Sequence, residues 1–277
     1  MKDELIQLLS GKEGYNVKIN TMREYLQAFI LRILYKNDFF QYTAFLGGTC
    51  LRFIYRTSRF SEDLDFSLLS QTPGRFGFDD IIRVLINDLK DSGYQIGVKL
   101  KKDGVYSAMI KFAGLLFEAG MSHRQEENLS IKIDVDMRPP GGAQTEIHLI
   151  DKYFMSGVTC YNLPTLLAGK INAVLTRNYI KGRDYYDLFW YLTRHRNLQP
   201  NVEFLRNALV QFNWQEKEGD SDLENWKSHL IKQVTSADWK KIRHEVELLM
   251  EDREELKLFN KEDLLLLLDK EETWKKI

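Results

Sequence analysis

The chain has 277 residues, with 39 basic and 40 acidic side chains and a net charge of −1 at neutral pH. This balance argues against a protein that coats nucleic acid through its overall charge. The longest aliphatic run, 264–268, is too short to cross a bilayer, and the N-terminal residues lack the pattern of a signal peptide. We therefore expect a cytoplasmic protein with no membrane partner.

The charge is distributed unequally along the chain. Residues 201–277 carry 13 basic and 18 acidic side chains, which leaves an excess of four positive charges on residues 1–200. A phosphate-rich partner is therefore expected on the first 200 residues. The two cysteines, Cys50 and Cys160, are isolated in the sequence from each other and from any histidine cluster. Neither a disulfide framework nor a zinc site is predicted.

The first predicted elements are a helix, a short strand and a second helix. Apolar residues recur at helical spacing over 21–37, with Thr21 as the expected N-cap and Glu24 as its capping-box partner. A short apolar run, 42–46, predicts a strand. Glycines then predict a turn, and 49–56 reads as a short helix.

Alternating polarity over 60–68 predicts a strand whose polar face carries Asp63 and Asp65. The elements expected next are a helix over 79–92 and strands over 94–100, 105–117 and 129–138. From Pro164 onward the periodicity is helical: 164–177, 184–195 and then several charged amphipathic helices. These elements predict an α+β fold, with a mixed sheet and flanking helices in residues 1–160 and a helical half in 161–277.

Residues that could bind a nucleotide and metal surround the predicted glycine turn. Gly47 and Gly48 let the backbone approach a ligand closely, and N–H groups at the start of the next helix can donate to phosphate oxygens. Asp63 and Asp65, two apart on a strand, put two carboxylates on one side about 7 Å apart. That spacing is typical of sites where divalent cations support phosphoryl or nucleotidyl transfer.

A third carboxylate is expected from the strand at 130–138. Its polar face holds Lys132, Asp134 and Asp136, so either aspartate could complete the site. The competing interpretation is an edge strand that charges protect from aggregation.

The helical half offers two further candidates. Lys170 lies in the middle of a predicted helix, where lysine is ordinarily solvated. Asp184 begins a helix after a glycine, so N-capping explains it as well as catalysis does. The segment before Lys170 is not a Walker A loop, since Pro164 stands where glycine is required.

Four segments together resemble a known family. They are Gly47-Gly48-Thr49-x-Leu51-Arg52, Arg59-Phe60-Ser61-x-Asp63-Leu64-Asp65-Phe66, Lys170, and Arg183-Asp184-x-x-Asp187-Leu188. This pattern resembles that of the AbiEii/MenT nucleotidyltransferase toxins, within the DNA-polymerase-β-like superfamily. The resemblance spans about residues 44–192, and the C-terminal helices carry no matching motif.

The resemblance implies a toxin of a bacterial toxin–antitoxin or abortive-infection system. Such a toxin transfers a nucleotide from a nucleoside triphosphate to RNA, with the tRNA 3′ acceptor end as the expected acceptor. It implies that Asp63 and Asp65 hold Mg²⁺ and that Ser61 and the glycine turn contact phosphates. Lys170 would steady the triphosphate, and Asp184 would be the essential acid of the last motif. In the family the position of Asp134 is the more commonly acidic one.

A working hypothesis follows for each group of candidates. Two Mg²⁺ ions, together with Lys170 and Arg52, would oppose the charge that gathers on the phosphates, and Thr49 would belong to the nucleotide site. The cations expected to contact RNA phosphates are Arg56, Arg59, Arg177, Lys181 and Arg183. A cognate antitoxin is a further expected partner. Two alternatives stay open: a non-catalytic NTP-binding toxin module, and a transferase acting on a protein or small molecule.

Overall fold

The computed structural model describes residues 2–69, 76–214 and 225–269. The chain forms two compact units. The first comprises Met1–Pro139 and Thr145–Cys160, and the second comprises Pro140–Gln144 and Tyr161–Ile277. Within the described ranges no helix is long and apolar enough to cross a membrane.

The first unit is a mixed sheet with helices. Its helices are α1 (Lys2–Ser10), α2 (Tyr15–Lys36), α3 (Gly47–Ile54), α4 (Phe78–Asp91) and the short α5 (Leu115–Glu118), with a 3₁₀ turn at Phe39–Gln41. Its strands are β1 (Thr43–Leu46), β2 (Leu64–Leu68), β3 (Gln95–Asp103), β4 (Val105–Ala113), β5 (Leu129–Asp136), β6 (Thr145–Ile150) and β7 (Ser156–Tyr161).

The seven strands form one sheet in the order β3-β4-β5-β2-β1-β7-β6. The central strand β2 runs antiparallel to β1 and parallel to β5. Burial alternates along β5, with Ile131, Ile133 and Val135 buried and the residues between them half-buried. This mixture of strands and helices confirms the predicted α+β class.

Helix α2 begins earlier than its apolar periodicity predicts. Gly14, at φ 79°, precedes its first residue, so the helix gains six residues before the predicted N-cap. Thr21 is therefore buried inside the helix, and the prediction that it caps the helix is wrong. Its predicted partner Glu24 is buried as well, where it accepts hydrogen bonds from Arg52 and Tyr153.

Other boundaries differ from the prediction for local reasons. β2 begins at Leu64, four residues later than expected, because the preceding residues form a loop. β4 ends at Ala113, since Gly114 takes a left-handed conformation that starts α5 where strand was predicted. β6 and β7 were not predicted at all.

The described part of the second unit is helical. Its helices are α6 (Leu163–Thr176), α7 (Gly182–Arg194), α8 (Val202–Gln211), α9 (Trp226–Ser236), α10 (Trp239–Glu247) and α11 (Lys261–Asp269), with a 3₁₀ turn at Arg253–Lys257. The side chain of Asn162 caps α6 by accepting from the N–H of Thr165, and Pro164 lies in the first turn, where proline is well tolerated.

Candidate active site

The glycine turn between β1 and α3 packs directly against the predicted acidic strand. Gly47 has a φ of 78°, a conformation that glycine adopts at little cost, and a Cβ there would overlap the Asp65 carboxylate. A Cβ on Gly48 would lie 2.5 Å from Arg59 Nη2 and 2.9 Å from Ser61 Oγ. The two glycines therefore let α3 begin in contact with the residues around β2.

Strand pairing brings the third carboxylate to the same place. Asp65 lies directly opposite Asp134 in the parallel register of β2 and β5, where neighbouring strands are about 4.8 Å apart. Asp63 precedes β2 by one residue and is two residues from Asp65. The three aspartates are half-buried, so a cation or a solvated ligand can reach them.

Asp134 is held by two neighbours. Ser107 Oγ, on the adjoining strand β4, donates to Asp134 Oδ1 at 2.6 Å, and Lys132 Nζ lies 2.5 Å from Oδ2. Burial alone would lower the pKa of Lys132, but its bond to Asp134 and the charges of Asp134, Asp63 and Asp65 outweigh burial and raise it. The Lys132 ammonium thus lies in the combined field of all three aspartates.

Asp136, the rival candidate, occupies a different position. It pairs with Ser67 rather than with an aspartate of β2. Its Oδ1 accepts the backbone N–H of Arg138 at 2.9 Å. Burial raises the pKa of Asp136, against the opposing effect of that hydrogen bond. The pairing therefore puts Asp134, and not Asp136, opposite Asp65.

These residues offer the ligand type that a hard divalent cation prefers. Mg²⁺ prefers carboxylate oxygens, and three half-buried carboxylates come from neighbouring strands and the loop before one of them. The ammonium of Lys132 already lies against one of these carboxylates, so this group of carboxylates accepts positive charge. We retain Asp63, Asp65 and Asp134 as candidate ligands.

Two arginines that were predicted to contact phosphates are buried and make hydrogen bonds inside the protein. Arg52 Nε donates to Glu24 Oε1 at 2.5 Å, its Nη1 donates to the carbonyl of Thr57 at 2.9 Å, and its guanidinium lies over Phe60. Arg59 is fully buried, and its Nη1 donates to the carbonyl of Phe60. Because Arg59 is fully buried, the prediction that it belongs to an RNA-binding surface is wrong. Arg52 was predicted to contact the triphosphate, but its hydrogen bonds indicate that it supports α3.

Two further motif residues support the loop before β2. Thr49 is fully buried, and its hydroxyl donates to the carbonyl of Asp63. This bond ties the first turn of α3 to a candidate metal ligand, so Thr49 acts on the site through the backbone. Ser61 lies under Gly48, and its carbonyl accepts a hydrogen bond of 3.1 Å from Gln27.

In the second unit, Lys170 lies in a buried ion-pair cluster. Its Nζ is 3.0 Å from Asp184 Oδ1 and 2.8 Å from Asp187 Oδ2, and Arg177 Nη1 donates to Asp184 Oδ2 at 2.6 Å. Only 12 % of the Lys170 side chain is exposed, so the solvated interpretation is wrong. Asp184 does not cap α7, because Lys181 holds the N-cap position and Asp184 lies within the helix.

Balanced charges keep the buried Asp184 ionised. Burial alone would raise the pKa of this carboxyl, but Lys170, Arg177 and Arg183 outweigh burial and lower it. Asp187, which is fully buried, shares Lys170 with it. The cluster joins α6 to α7 through charge-assisted hydrogen bonds.

The remaining predicted RNA-contacting cations are accessible to different degrees. Arg56 is exposed and follows α3 with a φ of 58°. In the second unit, Arg177 and Lys181 line a pocket together with Tyr179, whose ring lies 5.7 Å from the Lys181 ammonium. Arg183 is only half-buried.

Two supporting residues were missed at the level of sequence. Ser107 carries no motif, and only the pairing of β4 with β5 brings it to Asp134. The sequence places Lys132 on the polar face of its strand and indicates no role for it. Its position two residues before Asp134 was the available signal, since residues two apart share a strand face.

Comparison with known proteins shows the family of the chain. The family described as "Nucleotidyl transferase AbiEii toxin, Type IV TA system" matches residues 29–262. Similar solved structures include JHP933 from Helicobacter pylori, with 17% identity, 88% of each chain covered and a TM-score of 0.44. A candidate nucleotidyltransferase from H. pylori shares 18% identity over 87% of this chain and 91% of its own, with a TM-score of 0.43. No curated protein matches. Because the family match spans most of the sequence, the chain belongs to the AbiEii nucleotidyltransferase toxin family of type IV toxin–antitoxin systems.

Proposed function

We propose that this toxin is a Mg²⁺-dependent enzyme that transfers a nucleoside monophosphate from an NTP to an RNA 3′ end, with the tRNA acceptor end as substrate. The observation that carries the proposal is the register of β2 and β5, which sets Asp65 opposite Asp134 beside the glycine turn. Family membership implies a cognate antitoxin. We infer that the enzyme acts in the cytoplasm, where NTP and tRNA are available.

The aspartates would hold the metal. Two Mg²⁺ ions bound by Asp63, Asp65 and Asp134 would supply positive charge at the transferred phosphate and at the leaving pyrophosphate. The protein's own contribution is to fix these carboxylates. Ser107 orients Asp134, and Thr49 ties the backbone of Asp63 to α3. Such preorganisation lowers the reorganisation needed at the moment of reaction.

The glycine turn would position the triphosphate. Backbone N–H groups in the first turn of α3 have no partner within the helix and can donate to phosphate oxygens. Gly48 lies against Ser61 Oγ, so the hydroxyl and the helix start are neighbours. An RNA 3′-hydroxyl then attacks the α-phosphorus. The new P–O bond forms as the bond to pyrophosphate breaks, and the hydroxyl proton passes to a carboxylate of the site.

The second unit offers a surface suited to RNA. Arg177 and Lys181 supply charge for phosphates, and Tyr179 is an exposed aromatic ring on which a base can stack. Arg56 provides a further exposed cation in the first unit. Binding through such contacts should weaken steeply as salt rises.

The test is a transfer assay with each labelled NTP, total RNA and Mg²⁺, followed by mass measurement of tRNA 3′ ends. We expect label in tRNA with one preferred NTP, with loss of transfer when the Mg²⁺ is chelated. Asp65→Asn serves as the control for contaminating transferases.

The other outcomes separate the alternatives. Label in protein or in a small molecule would replace RNA as the acceptor. NTP binding without transfer to any acceptor would indicate a binding module, and transfer that persists in Asp65→Asn would remove the site assignment.

A further inference from the structure

A second group of potential metal ligands lies at the opposite end of the sheet from β3. Glu146 and His148 are two residues apart on the edge strand β6, and Cys160 lies on the neighbouring strand β7. Their donor atoms all lie within 4.8 Å of one another. Within the described ranges, this is the only group of three or more His, Cys, Asp or Glu side chains that meets so tight a limit.

The donor set favours zinc over magnesium. A cysteine sulfur, an imidazole nitrogen and a carboxylate oxygen are the ligand types that Zn²⁺ takes in proteins, whereas Mg²⁺ prefers oxygen alone. Tetrahedral ligands of zinc lie roughly 3.3 to 3.8 Å apart, given bonds of about 2.0 to 2.3 Å. Closing the group onto a Zn²⁺ ion therefore requires side-chain shifts of only about 1 Å.

A neighbouring residue already orients the carboxylate. Tyr55, which follows α3, donates its hydroxyl to Glu146 Oε1 at 2.5 Å, and His148 Nε2 lies 2.7 Å from the same oxygen. Both contacts end on Oε1, so the other carboxylate oxygen can turn to a cation. Tyr55 is not itself a proposed ligand, and a residue that hydrogen-bonds to a ligand in this way commonly fixes the geometry of that ligand in metal sites.

The three proposed ligands differ in their exposure to solvent. Cys160 is fully buried, while the side chains of Glu146 and His148 are 40 % and 34 % exposed. Because the donor atoms of the two partly exposed ligands lie within 4.8 Å of the buried sulfur, a metal ion bound by all three would also be near solvent. Three protein ligands with one side open to water match zinc sites that keep a fourth position for a solvent molecule.

We propose that Glu146, His148 and Cys160 form a Zn²⁺ site, separate from the aspartate site. The sequence did not predict it, because Cys160 is remote from any histidine cluster and β6 and β7 were not foreseen. Through Tyr55, bound zinc would restrain the C-terminal end of α3, the helix whose first turn holds Gly47 and Gly48. The inference is independent of the proposed transfer reaction, and its test measures binding alone.

The experiment uses the full chain, stripped with chelator and then dialysed against Zn²⁺ in excess Mg²⁺. We expect one zinc per chain by elemental analysis after gel filtration, and a higher melting temperature with zinc, because a ligand of the native state stabilises it. His148→Ala should lose the zinc and the thermal shift. His244→Ala, which removes an exposed histidine on α10, should keep both.

Cobalt substitution identifies the sulfur ligand. Co²⁺ bound to the wild-type chain should show a thiolate-to-cobalt charge-transfer band that persists in Cys50→Ala and disappears in Cys160→Ser. His148 is half-exposed, so its variant should fold even if the buried Cys160 variant does not; circular dichroism checks both. Zinc content equal in wild type and His148→Ala, or a cobalt band lost in Cys50→Ala and kept in Cys160→Ser, would overturn this ligand set.

Discussion

The aspartate site of the first unit and the ion-pair cluster of the second use the same residue types in opposite settings. In the first, Lys132 and Asp134 are 38 % and 19 % exposed. In the second, Lys170 and Asp184 are 12 % and 3 % exposed. A half-exposed lysine can leave its carboxylate for solvent when another cation arrives, whereas a buried one cannot leave without stranding a charge.

This contrast leads us to expect different roles for the two groups: metal binding at the aspartate site and stabilisation of the fold at the ion-pair cluster. Asp63, Asp65 and Asp134 lie on two neighbouring strands and the loop before one of them, and all three are half-buried. Asp184 and Asp187 lie inside α7 and are matched by Lys170 from α6 and by Arg177. We therefore expect substitutions in the first group to change activity and those in the second to change stability.

Lys170→Met tests the ion-pair cluster of the second unit and should have the largest effect. Removing the ammonium leaves two buried carboxylates without their shared partner, which should cost about 3 to 5 kcal/mol of unfolding free energy. Urea unfolding followed by circular dichroism measures it. Lys240→Met, at an exposed lysine of α10, is the matched control and should change stability by no more than about 0.5 kcal/mol. Equal stability of the two variants would contradict a stabilising role for the ion-pair cluster.

Acid should weaken the same cluster. The pKa of Asp184 is lower in the folded chain than its ordinary value of 3.8, so its contribution to stability is present above that value. It is lost as pH falls below 3.8 through the folded pKa, because the unfolded state then binds more protons. Urea unfolding from pH 5 downward should show a shallower pH dependence in Asp184→Asn than in wild type. Parallel curves would argue against an ionised Asp184.

Asp65→Asn tests the aspartate site of the first unit. Loss of a metal ligand should lower transfer by about 10² to 10³-fold, while removal of one carboxylate from a group of three relieves repulsion and leaves the melting temperature level or higher without metal. Transfer assays and thermal unfolding check the two halves. Asp103→Asn, at an exposed carboxylate at the end of β3, is the control and should alter neither. A large fall in melting temperature would make Asp65 structural.

The choice between Asp134 and Asp136 sharpens the same assignment. Asp134 faces Asp65 and is oriented by Ser107, so Asp134→Asn should slow transfer at least about tenfold, equivalent to about 1.4 kcal/mol of barrier. Asp136→Asn should be milder, because that residue faces Ser67. Transfer rates of the two variants at saturating Mg²⁺ decide between the two residues. If Asp136→Asn were the slower variant, Asp136 would replace Asp134 as the third candidate ligand.

Local patterns predicted much of this site but not its pairing. Alternation along 60–68 and 130–138 identified polar strand faces holding Asp65 and Asp134, because side-chain direction on a strand follows from sequence alone. Asp63 was predicted on the same strand as Asp65, but it lies in the loop before β2. The register of β2 with β5 joins residues almost seventy positions apart, and no local rule specifies it. Arg59 shows the same limit: an arginine within a motif was predicted to contact RNA phosphates, but packing against Gly48 buries it.

Propensity also failed where tertiary packing took over. Thr21 and Glu24 have the spacing of a capping box, but both are buried inside α2, where Glu24 holds Arg52 and Lys152. β6 combines glutamate and histidine with exposed Ile147 and Leu149, so its polarity pattern does not identify an inner face. A strand at the edge of a sheet lacks the two-sided burial that makes central strands recognisable.

Lys132→Met should produce the smallest change and tests whether the lysine competes with metal. Its ammonium bonds Asp134 and lies in the field of Asp63 and Asp65, where a bound cation would also lie. Removing a half-exposed charge of the same sign should tighten Mg²⁺ binding by about three- to tenfold, equivalent to about 0.7 to 1.4 kcal/mol. The Mg²⁺ concentration for half-maximal transfer should fall accordingly. Lys111→Met, at an exposed lysine of the neighbouring strand β4, should leave it unchanged. A rise in the Mg²⁺ requirement of Lys132→Met would show that Lys132 holds Asp134 in place for the metal instead of competing with it. The distinction between an exchangeable lysine and a fixed lysine would then rest on Lys170 alone.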